Sequence, residues 1–384
     1  MLPQRTDVLV VGAGPTGLAA AVTLARRGVE VTVVDRAPRP AVTSRAAVVH
    51  AYTLEVLDRI GAAAPLVEQG IASRRFTARD RDRVLLSVGF DDLPSRYPYA
   101  LLVSQSATEA VLTDRLTALG GQVLRPYEIT GLDHDAAGAA VHFAGGATVR
   151  ARWVIGADGM HSTVRESVGI RFDGPDDPGE SFVLADVRTR SALPRDEVSL
   201  FLARSGPLVW APLPDGAVRL VASVAEAPRE PDADYLQALL DERGPGRQPE
   251  RLTDVLWTSR FRIHHRIAER YRLGPVLLAG DAAHVHSPAG GQGMNLGIQD
   301  AVALGETLAD VLAGQPDTLL DAYAAARRPL AEEVVGFAGR LTRLATMPPA
   351  ARPLRDLLLR TVTRTPSARR RLALRLSGLT NRPG

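Results

Sequence analysis

GDAAHVHSPAGGQGMN, at residues 280–295, is the stretch that decides how this chain folds. The apolar run at residues 275–279 predicts a buried strand before it, and the amphipathic pattern of residues 296–312 predicts a helix after it. The glycine-rich part therefore lies between a strand and a helix, where unpaired backbone N–H groups and the positive end of the helix dipole face a ligand. Its glycines allow close approach of that ligand to the main chain. The alternative is an ordinary glycine-rich connection.

A second glycine-rich turn begins the chain. The apolar run at residues 7–11 predicts a buried parallel strand, GAGPTG follows at residues 12–17, and a helix leads to a second strand at residues 29–34 that ends at Asp35. A G-x-G-x-x-G turn inside a βαβ unit, with an acid about 20 residues further on, is typical of adenine dinucleotide binding. The hexapeptide alone is a weak signal, but the flanking strands and the acid make it a strong one.

Each residue of this unit has a separate predicted role. Gly12 makes the tight turn, Gly14 lets the backbone approach a pyrophosphate, and Gly17 lets the helix pack closely on the strand. Asp35 would accept hydrogen bonds from ribose hydroxyls, and Arg36 beside it is included among the predicted cofactor-binding residues.

Composition narrows the class of protein. The 384 residues carry a net charge of +3 and include no lysine, and no block of like charge suggests a nucleic-acid-binding arm. Cysteine is absent, which excludes disulfides, thiolate metal sites and flavoenzymes that pass electrons through a cysteine pair. Glycines interrupt the apolar N-terminal run, and no charge-free span reaches the ~18–20 residues of a membrane helix. We therefore expect a cytoplasmic protein with no transmembrane segment, no metal and no nucleic-acid partner.

A third strand-to-turn unit lies in the middle of the chain, and the pattern changes after it. WVIGADG at residues 153–159 is an apolar strand that runs into a glycine turn, with Ser162 and Arg165 just beyond. Between residues 181 and 225 four short strands are separated by Pro and Gly turns with little helix, which predicts a mostly antiparallel sheet inserted into the first lobe. The last predicted elements are helices.

These three motifs, in this order, resemble those of the FAD-dependent aromatic hydroxylases, the group A flavoprotein monooxygenases typified by para-hydroxybenzoate hydroxylase. The first motif, at residues 12–17 with Asp35, is shared with many dinucleotide-binding proteins. The second, at residues 156–159, and the third, at residues 280–295, are much more specific. Ser-Arg-Ala at residues 44–46 and the sequence from Pro288 onward are most similar to the phenol and polyketide hydroxylase branch. The resemblance covers residues 5 to about 330.

The resemblance implies a role for individual positions. Arg45 and Gln105 match residues on the ribityl and phosphate side of the flavin, Asp158 and Gly159 match the motif linked to FAD and the nicotinamide cofactor, and Asp281 matches the acid that binds the riboflavin part. The implied cofactor-binding residues are Gly12, Gly14, Gly17, Asp35, Arg36, Arg45, Gln105, Asp158, Gly159, Asp281, Gly293, Met294 and Asn295. The loop beside the reactive edge of the flavin is formed by Pro288, Gly290 and Gly291, and the sequence does not identify a general base.

The predicted fold class is α/β: a Rossmann-like FAD-binding domain with a parallel sheet, an inserted and mostly antiparallel substrate-binding sheet, and C-terminal helices. The FAD-binding domain is predicted to be discontinuous, from residues 1–73, 100–178 and 262–325. The substrate-binding domain is predicted at residues 74–99 and 179–261, and the C-terminal helical region at 326–384.

The same resemblance implies the chemistry. Such enzymes bind FAD non-covalently, oxidise NADPH or NADH as a transient co-substrate, and transfer one atom of O₂ to an aromatic substrate, phenolic or polyketide-like, through a C4a-hydroperoxyflavin. Antibiotic biosynthesis and the inactivation of a phenolic antibiotic both remain open, as does an isoprenoid-type flavin reductase or a flavin-free escort protein on the same scaffold. A monomer or a homodimer is expected.

Several conspicuous side chains have two interpretations. For His50, His284 and His286, structural hydrogen bonding is favoured over acid–base chemistry. The aromatic residues that could equally line a pocket or fill a core are Tyr97, Tyr99, Phe182, Phe201 and Trp210. The basic, leucine-containing tail at residues 354–376 is interpreted as one helix, which is expected to dock on its own protein in preference to a membrane surface.

Overall fold

The computed structural model describes residues 1–40, 46–174 and 181–382 of the chain. Its helices, in chain order, are α1 (Pro15–Arg26), α2 (Ala51–Arg59), α3 (Ala63–Gln69), α4 (Gln105–Ala118), α5 (Thr163–Ser167), α6 (Ala233–Arg243), α7 (Gln292–Leu312), α8 (Thr318–Ala345), α9 (Arg352–Arg364) and α10 (Pro366–Leu376). Short 3₁₀ turns lie at Gly280–Ala282, Pro349–Ala351 and Leu379–Asn381.

The described residues also form 21 β-strands, most of them short. They are β1 (Arg5–Val11), β2 (Val31–Val34), β3 (Val48–Val49), β4 (Ile71–Ser73), β5 (Arg75–Asp80), β6 (Arg83–Gly89), β7 (Ala100–Leu102), β8 (Val123–Leu124), β9 (Ile129–Asp135), β10 (Gly138–Phe143), β11 (Thr148–Gly156), β12 (Phe172–Asp173), β13 (Ser181–Arg190), β14 (Glu197–Ala203), β15 (Gly206–Pro212), β16 (Val218–Val224), β17 (Arg251–Arg262), β18 (Arg266–Ala268), β19 (Arg272–Leu273), β20 (Val276–Leu278) and β21 (His284–Val285).

An eight-stranded sheet carries the three glycine-rich turns. Strands β20, β11, β1, β2 and β8 lie side by side and parallel, while β19, β10 and β9 extend the sheet with antiparallel pairs. Both faces of β1 are covered: Val8 and Val10 belong to one buried apolar cluster, and Leu9 and Val11 belong to another. Burial on both faces explains why this strand is continuously apolar instead of alternating.

A seven-stranded sheet forms the second layer of β structure. Its order is β17, β13, β16, β15, β14, β5 and β6, and every neighbouring pair is antiparallel except β14 with β5. On one face, which we call the far face, Phe201 and Trp210 pack with Leu236 and Leu240 of α6. Leu202 belongs instead to the large cluster that includes the α1 side of the eight-stranded sheet, so the opposite, near face looks toward that sheet.

The C-terminal helices pass over both sheets. Helix α9 lies on β6, where the Thr363 hydroxyl donates to the carbonyl of Leu85 at 3.1 Å. After α10 the chain returns to the first layer: the carbonyl of Ser377 accepts from the amide of Tyr52 at 3.2 Å, and the Asn381 amide donates to Gln299 of α7. The tail therefore docks on its own protein along one face, as the sequence indicated.

The predicted α/β fold class is confirmed, with two differences in element bounds. The helix predicted at residues 354–376 is two helices, because Pro366 has no amide hydrogen to continue α9 and instead begins α10. Helix α7 begins at Gln292 and not at residue 296, since Gly291 has a left-handed backbone (φ +65°) that ends the preceding turn. Gly293, Met294 and Asn295 therefore belong to its first turn.

Candidate functional site

The three glycine-rich turns meet at one edge of the eight-stranded sheet. They follow β1, β11 and β20, which are parallel neighbours, so their carboxyl ends lie at the same edge. A methyl group added to Gly12 would overlap the carbonyl of Ala157, and one added to Gly280 would overlap the side chain of Thr16. Segments that are far apart in sequence are thus in van der Waals contact around one crevice.

The first turn presents an uncapped helix to this crevice. Gly12 has a φ of +101°, and its amide donates to the carbonyl of Val34 at 2.8 Å. Gly17 packs against the carbonyl of Gly12, whereas a Cβ added to Gly14 would meet no protein atom within 4 Å. Helix α1 has no side-chain N-cap and no acid in its first turn. Its positive end is therefore left for an anionic ligand.

Asp35 closes the same turn from the end of β2. One carboxylate oxygen accepts from the amide of Ala13 at 2.7 Å, and the other accepts from the amide of Ala37 and pairs with Arg125 at 2.8 Å. The acid lies where a ribose next to the pyrophosphate is expected, and its oxygens retain lone pairs for hydroxyl groups. Arg36, the next residue, is exposed.

Asp158 and Gly159 form the second turn. The Ser162 hydroxyl donates to one Asp158 oxygen at 2.6 Å, and the amide of Val164 donates to the other at 3.1 Å. Burial raises the pKa of Asp158, and these hydrogen bonds only partly oppose the effect. Gly159 has a φ of +86° with open space beside its α-carbon. The Asp158 side chain therefore shapes its own turn, and Gly159 leaves the turn open toward a ligand.

The third turn is a rigid loop in front of α7. Gly290 and Gly291 both have positive φ, and the amide of Gly291 donates to the carbonyl of Pro288 at 2.9 Å. The buried Asn295 side chain donates to the carbonyl of Gly291 at 2.7 Å and accepts from the amide of His50 at 2.7 Å. Helix α7, like α1, has no side-chain N-cap and no acid in its first turn. Its first-turn amides, including that of Met294, point a second positive helix end at the site.

His50 supports this loop from behind. Its Nε2 lies 2.9 Å from the carbonyl oxygen of Gly290, so Nε2 carries the proton and donates. Burial lowers the pKa of His50 to about 4, which keeps the ring neutral at physiological pH. His286 likewise contacts the backbone carbonyl of Ser287 through Nδ1, and burial lowers its pKa to about 4. Both histidines therefore bond to backbone carbonyls, as the structural interpretation expects.

An ion pair joins the near face of the seven-stranded sheet to this crevice. Asp186 and Arg219 form two hydrogen bonds of 2.7 Å, and Arg219 also donates to the carbonyl of Ala46 at 2.9 Å. The same carbonyl accepts from the amide of Gln105 at 3.1 Å. Arg45, which precedes Ala46, lies outside the described residues. The pair was not identified from sequence, because neither residue lies in a motif.

The near face also carries an aromatic surface. Phe182 alternates with the far-face residue Val183 along β13, and it stacks on Phe261 of β17 with ring centroids 5.5 Å apart. Phe201 and Trp210 lie on the far face and fill the core with α6. Of the aromatic residues considered as pocket walls, Phe182 is thus on the side of the crevice, and those two are not.

A buried charged cluster lies behind the third turn. His284 Nε2 is 2.6 Å from one oxygen of Asp300, and Arg327 of α8 donates to the other oxygen at 2.5 Å. Asp300 and His284 are fully buried, and this cluster fixes the strand after Asp281 to two helices. His284 therefore bonds to a carboxylate rather than to the backbone. Asp281 itself is exposed at the rim of the crevice.

The residues present fit an adenine dinucleotide carrying a flavin. Two uncapped helix N-termini suit a pyrophosphate and an electron-rich ring, Gly14 leaves space against the backbone, and Asp35 suits a ribose. Within the described ranges, no three or more His, Asp or Glu side chains are grouped to hold a metal ion. In the same part of the chain, every helix is too short or too polar to cross a bilayer.

A dinucleotide crevice at the edge of one sheet, covered by a second sheet, is the arrangement of a class of FAD-binding proteins. Comparison with known proteins supports the same class. Residues 5–338 match the model of the family described as FAD binding domain. The chain belongs to that family. The predicted resemblance is confirmed, since its relatives are monooxygenases of aromatic and polyketide compounds.

Two relatives and one solved structure illustrate the similarity. The 6-methylpretetramide 4-monooxygenase of Streptomyces rimosus is 38% identical over 92% of this chain and 65% of that protein. The 12-dehydrotetracycline 5-monooxygenase/anhydrotetracycline 6-monooxygenase of Streptomyces rimosus subsp. rimosus is 38% identical over 98% of this chain and 77% of that protein. The crystal structure of p-nitrophenol 4-monooxygenase from Pseudomonas putida DLL-E4 superposes with a TM-score of 0.88 at 25% identity over the whole of both chains. This chain thus spans about two thirds to three quarters of the two curated relatives.

Proposed function

We propose that the protein is an FAD-dependent monooxygenase that hydroxylates an aromatic, phenolic or polyketide-like substrate with NAD(P)H and O₂. The observation that carries the proposal is the meeting of three turns and two uncapped helix N-termini in one crevice beneath an aromatic sheet face. When bound, FAD supplies the electron transfer from NAD(P)H and the activation of O₂.

The geometry of the turns supports the binding roles that the resemblance implies. Gly12, Gly14 and the start of α1 would hold the pyrophosphate, and Asp35 the adenosine ribose. Asp281, Gly159 and Gln105 would hold the ribityl and flavin part, as the resemblance implies. Backbone amides in the first turn of α7 would stabilise negative charge on the flavin ring, because that helix end is positively polarised and lacks a competing acid.

The loop of Pro288, Gly290 and Gly291 would form the wall beside the reacting atoms. Its shape is supported from within the protein, since Asn295 and His50 bond to its carbonyls. A preorganised wall costs no reorganisation during the reaction. The neutral His50 ring holds its proton at Nε2 on the Gly290 carbonyl, so we assign it to positioning and not to proton transfer.

The seven-stranded sheet would be the substrate-binding lobe, formed by residues 74–99 and 179–261. Its near face carries Phe182 and Phe261 as a flat apolar surface that suits a planar aromatic ring and excludes water. The Asp186–Arg219 pair ties this roof to Ala46, next to the predicted flavin contact.

The test uses protein purified with FAD, or reconstituted with it, and a panel of phenols and polycyclic aromatic compounds. We expect a yellow protein with one FAD per chain, and at least one compound that accelerates NAD(P)H oxidation with matching O₂ uptake and an oxygenated product. NAD(P)H oxidation that needs no O₂ would indicate a reductase instead. A protein that stays colourless after addition of FAD would contradict the proposal.

A further inference from the structure

The outer face of α9 is an apolar stripe that no other part of the described chain covers. Leu354, Leu357 and Leu358 are 67%, 62% and 51% exposed, and among described large apolar residues only the N-terminal methionine is more exposed. Their spacing of three and four residues places them on one side of the helix. The opposite side carries Leu359, which is buried against the protein. Burial of one face thus leaves a second apolar face in water.

This stripe is set in a strongly cationic segment. Residues 352–376 contain eight arginines, of which Arg355 is buried, and a single acid, Asp356. Asp356 is paired with Arg355 at 3.0 Å and with Arg83 at 3.5 Å, so it offers little free negative charge. Arg369, Arg370 and Arg371, at the start of α10, are exposed, and they have no ion-pair partner in the part of the chain that the structure describes.

We propose that this surface, the leucine stripe of α9 with the arginines that follow it, docks the protein on the anionic surface of a phospholipid membrane. Exposed leucines would enter the headgroup boundary, and the long arginine side chains would reach phosphate groups while their stems cover apolar surface. The helix would lie in the plane of the interface and would not cross it, because its other face remains packed on the protein through Leu359.

Charge favours a lipid surface over a second copy of the chain. A symmetric dimer through this stripe would place one cationic segment against another, with only the already paired Asp356 to offset the repulsion. An anionic bilayer provides complementary charge to the exposed arginines of this segment. Each arginine near such a surface contributes about fivefold to binding.

The experiment measures co-sedimentation of the full FAD-loaded chain with two kinds of vesicle, phosphatidylcholine alone and phosphatidylcholine mixed with phosphatidylglycerol. We expect binding to the anionic vesicles only, weakening with added salt. The triple variant Leu354→Gln, Leu357→Gln, Leu358→Gln should lose at least about tenfold in affinity, since glutamine keeps the helix but not the apolar contact. The variant Arg369→Gln, Arg370→Gln, Arg371→Gln should lose about a hundredfold.

Leu319→Gln, at an exposed leucine near the start of α8, is the matched control and should bind like the unmodified protein. As a second readout, Leu357→Trp should show a blue-shifted emission with anionic vesicles only. Unaltered FAD content shows that each variant is folded. Absence of binding to anionic vesicles, or equal binding by the leucine variant, overturns the proposal. Light scattering that shows a dimer dissociated by the leucine substitutions would assign the stripe to a contact between copies instead.

Discussion

Asp300→Asn should be among the most damaging single substitutions outside the glycine turns. The carboxylate is fully buried and lies 2.5 Å from Arg327 and 2.6 Å from His284. The amide keeps the shape of the side chain but removes its charge, so Arg327 loses the carboxylate that it pairs with among the described residues. Removing one partner of a buried pair in this way costs about 3–5 kcal/mol.

That cost translates into a measurable melting shift. The unfolding entropy is about 2.1 cal/mol/K per residue, so for a chain of this length each loss of roughly 0.8 kcal/mol lowers Tm by one degree. A cost of about 3–5 kcal/mol should therefore lower Tm by about 4–6 °C. The control is Asp310→Asn on the same helix, whose partner Arg27 is 2.5 Å away but whose side chain is 45% exposed. Exposed pairs contribute about 0–1 kcal/mol, so the control should change Tm by about 1 °C or less.

The pH dependence gives the prediction a second test. Burial acts to raise the pKa of Asp300, but the charge of Arg327 and the hydrogen bond from His284 outweigh it, and the net pKa lies below the ordinary value. A lowered folded-state pKa stabilises the protein above the unfolded pKa of about 4, and this contribution is lost as pH falls through the folded value. The Tm difference between the unmodified protein and Asp300→Asn should therefore persist at neutral pH and narrow below about pH 4. Equal melting at pH 7, or an equal loss in Asp310→Asn, would refute the reasoning.

Three further outcomes concern the crevice. Gly14→Val should fold with an unchanged Tm but without FAD, because a Cβ at this position meets no protein atom within 4 Å and the side chain enters the predicted pyrophosphate space. Gly17→Ala should instead destabilise the fold, because its Cβ overlaps the carbonyl of Gly12. Flavin absorbance and melting distinguish the two variants, and full flavin in Gly14→Val would contradict the placement. Asp281→Ala should melt normally, since the residue is exposed, yet lose FAD occupancy. Arg219→Met should weaken FAD binding about tenfold, because it removes the hydrogen bond to the Ala46 carbonyl and leaves Asp186 without its ion-pair partner. Fluorescence titration measures this affinity, and an unchanged value would show that the sheet does not support the site.

Elements whose sequence signals lie within a short span could be predicted from the sequence alone. The turn at residues 12–17 and the one at residues 280–295 each combine an apolar strand, glycines and a helix within a short span, so their meeting at one sheet edge follows from parallel topology. The four strands between residues 181 and 225 were also predictable, since Pro and Gly turns separate them. The proposed domain boundaries and ligand roles stay predictions.

What could not be predicted are contacts set by packing between distant segments. Arg219 reaches the carbonyl of Ala46, 173 positions away, because the packing of β16 brings its side chain close to the residues just before β3. Asp300, in the middle of an amphipathic helix, looks like a solvated side chain, and only the placement of α8 shows that Arg327 covers it. The charge of each residue is visible in the sequence, but its partner depends on the angle between two packed elements.

The return of the chain after α10 has a consequence for how the protein is made. Ser377 and Asn381 bond to Tyr52 and to Gln299 of α7, close behind the loop supported by His50. The eight-stranded sheet and its helices therefore lack these contacts while the ribosome still holds residues 377–381. Translation must pass residue 381 before these contacts behind the loop can form, and we expect nascent chains stalled before residue 377 to be cleaved more readily by proteases.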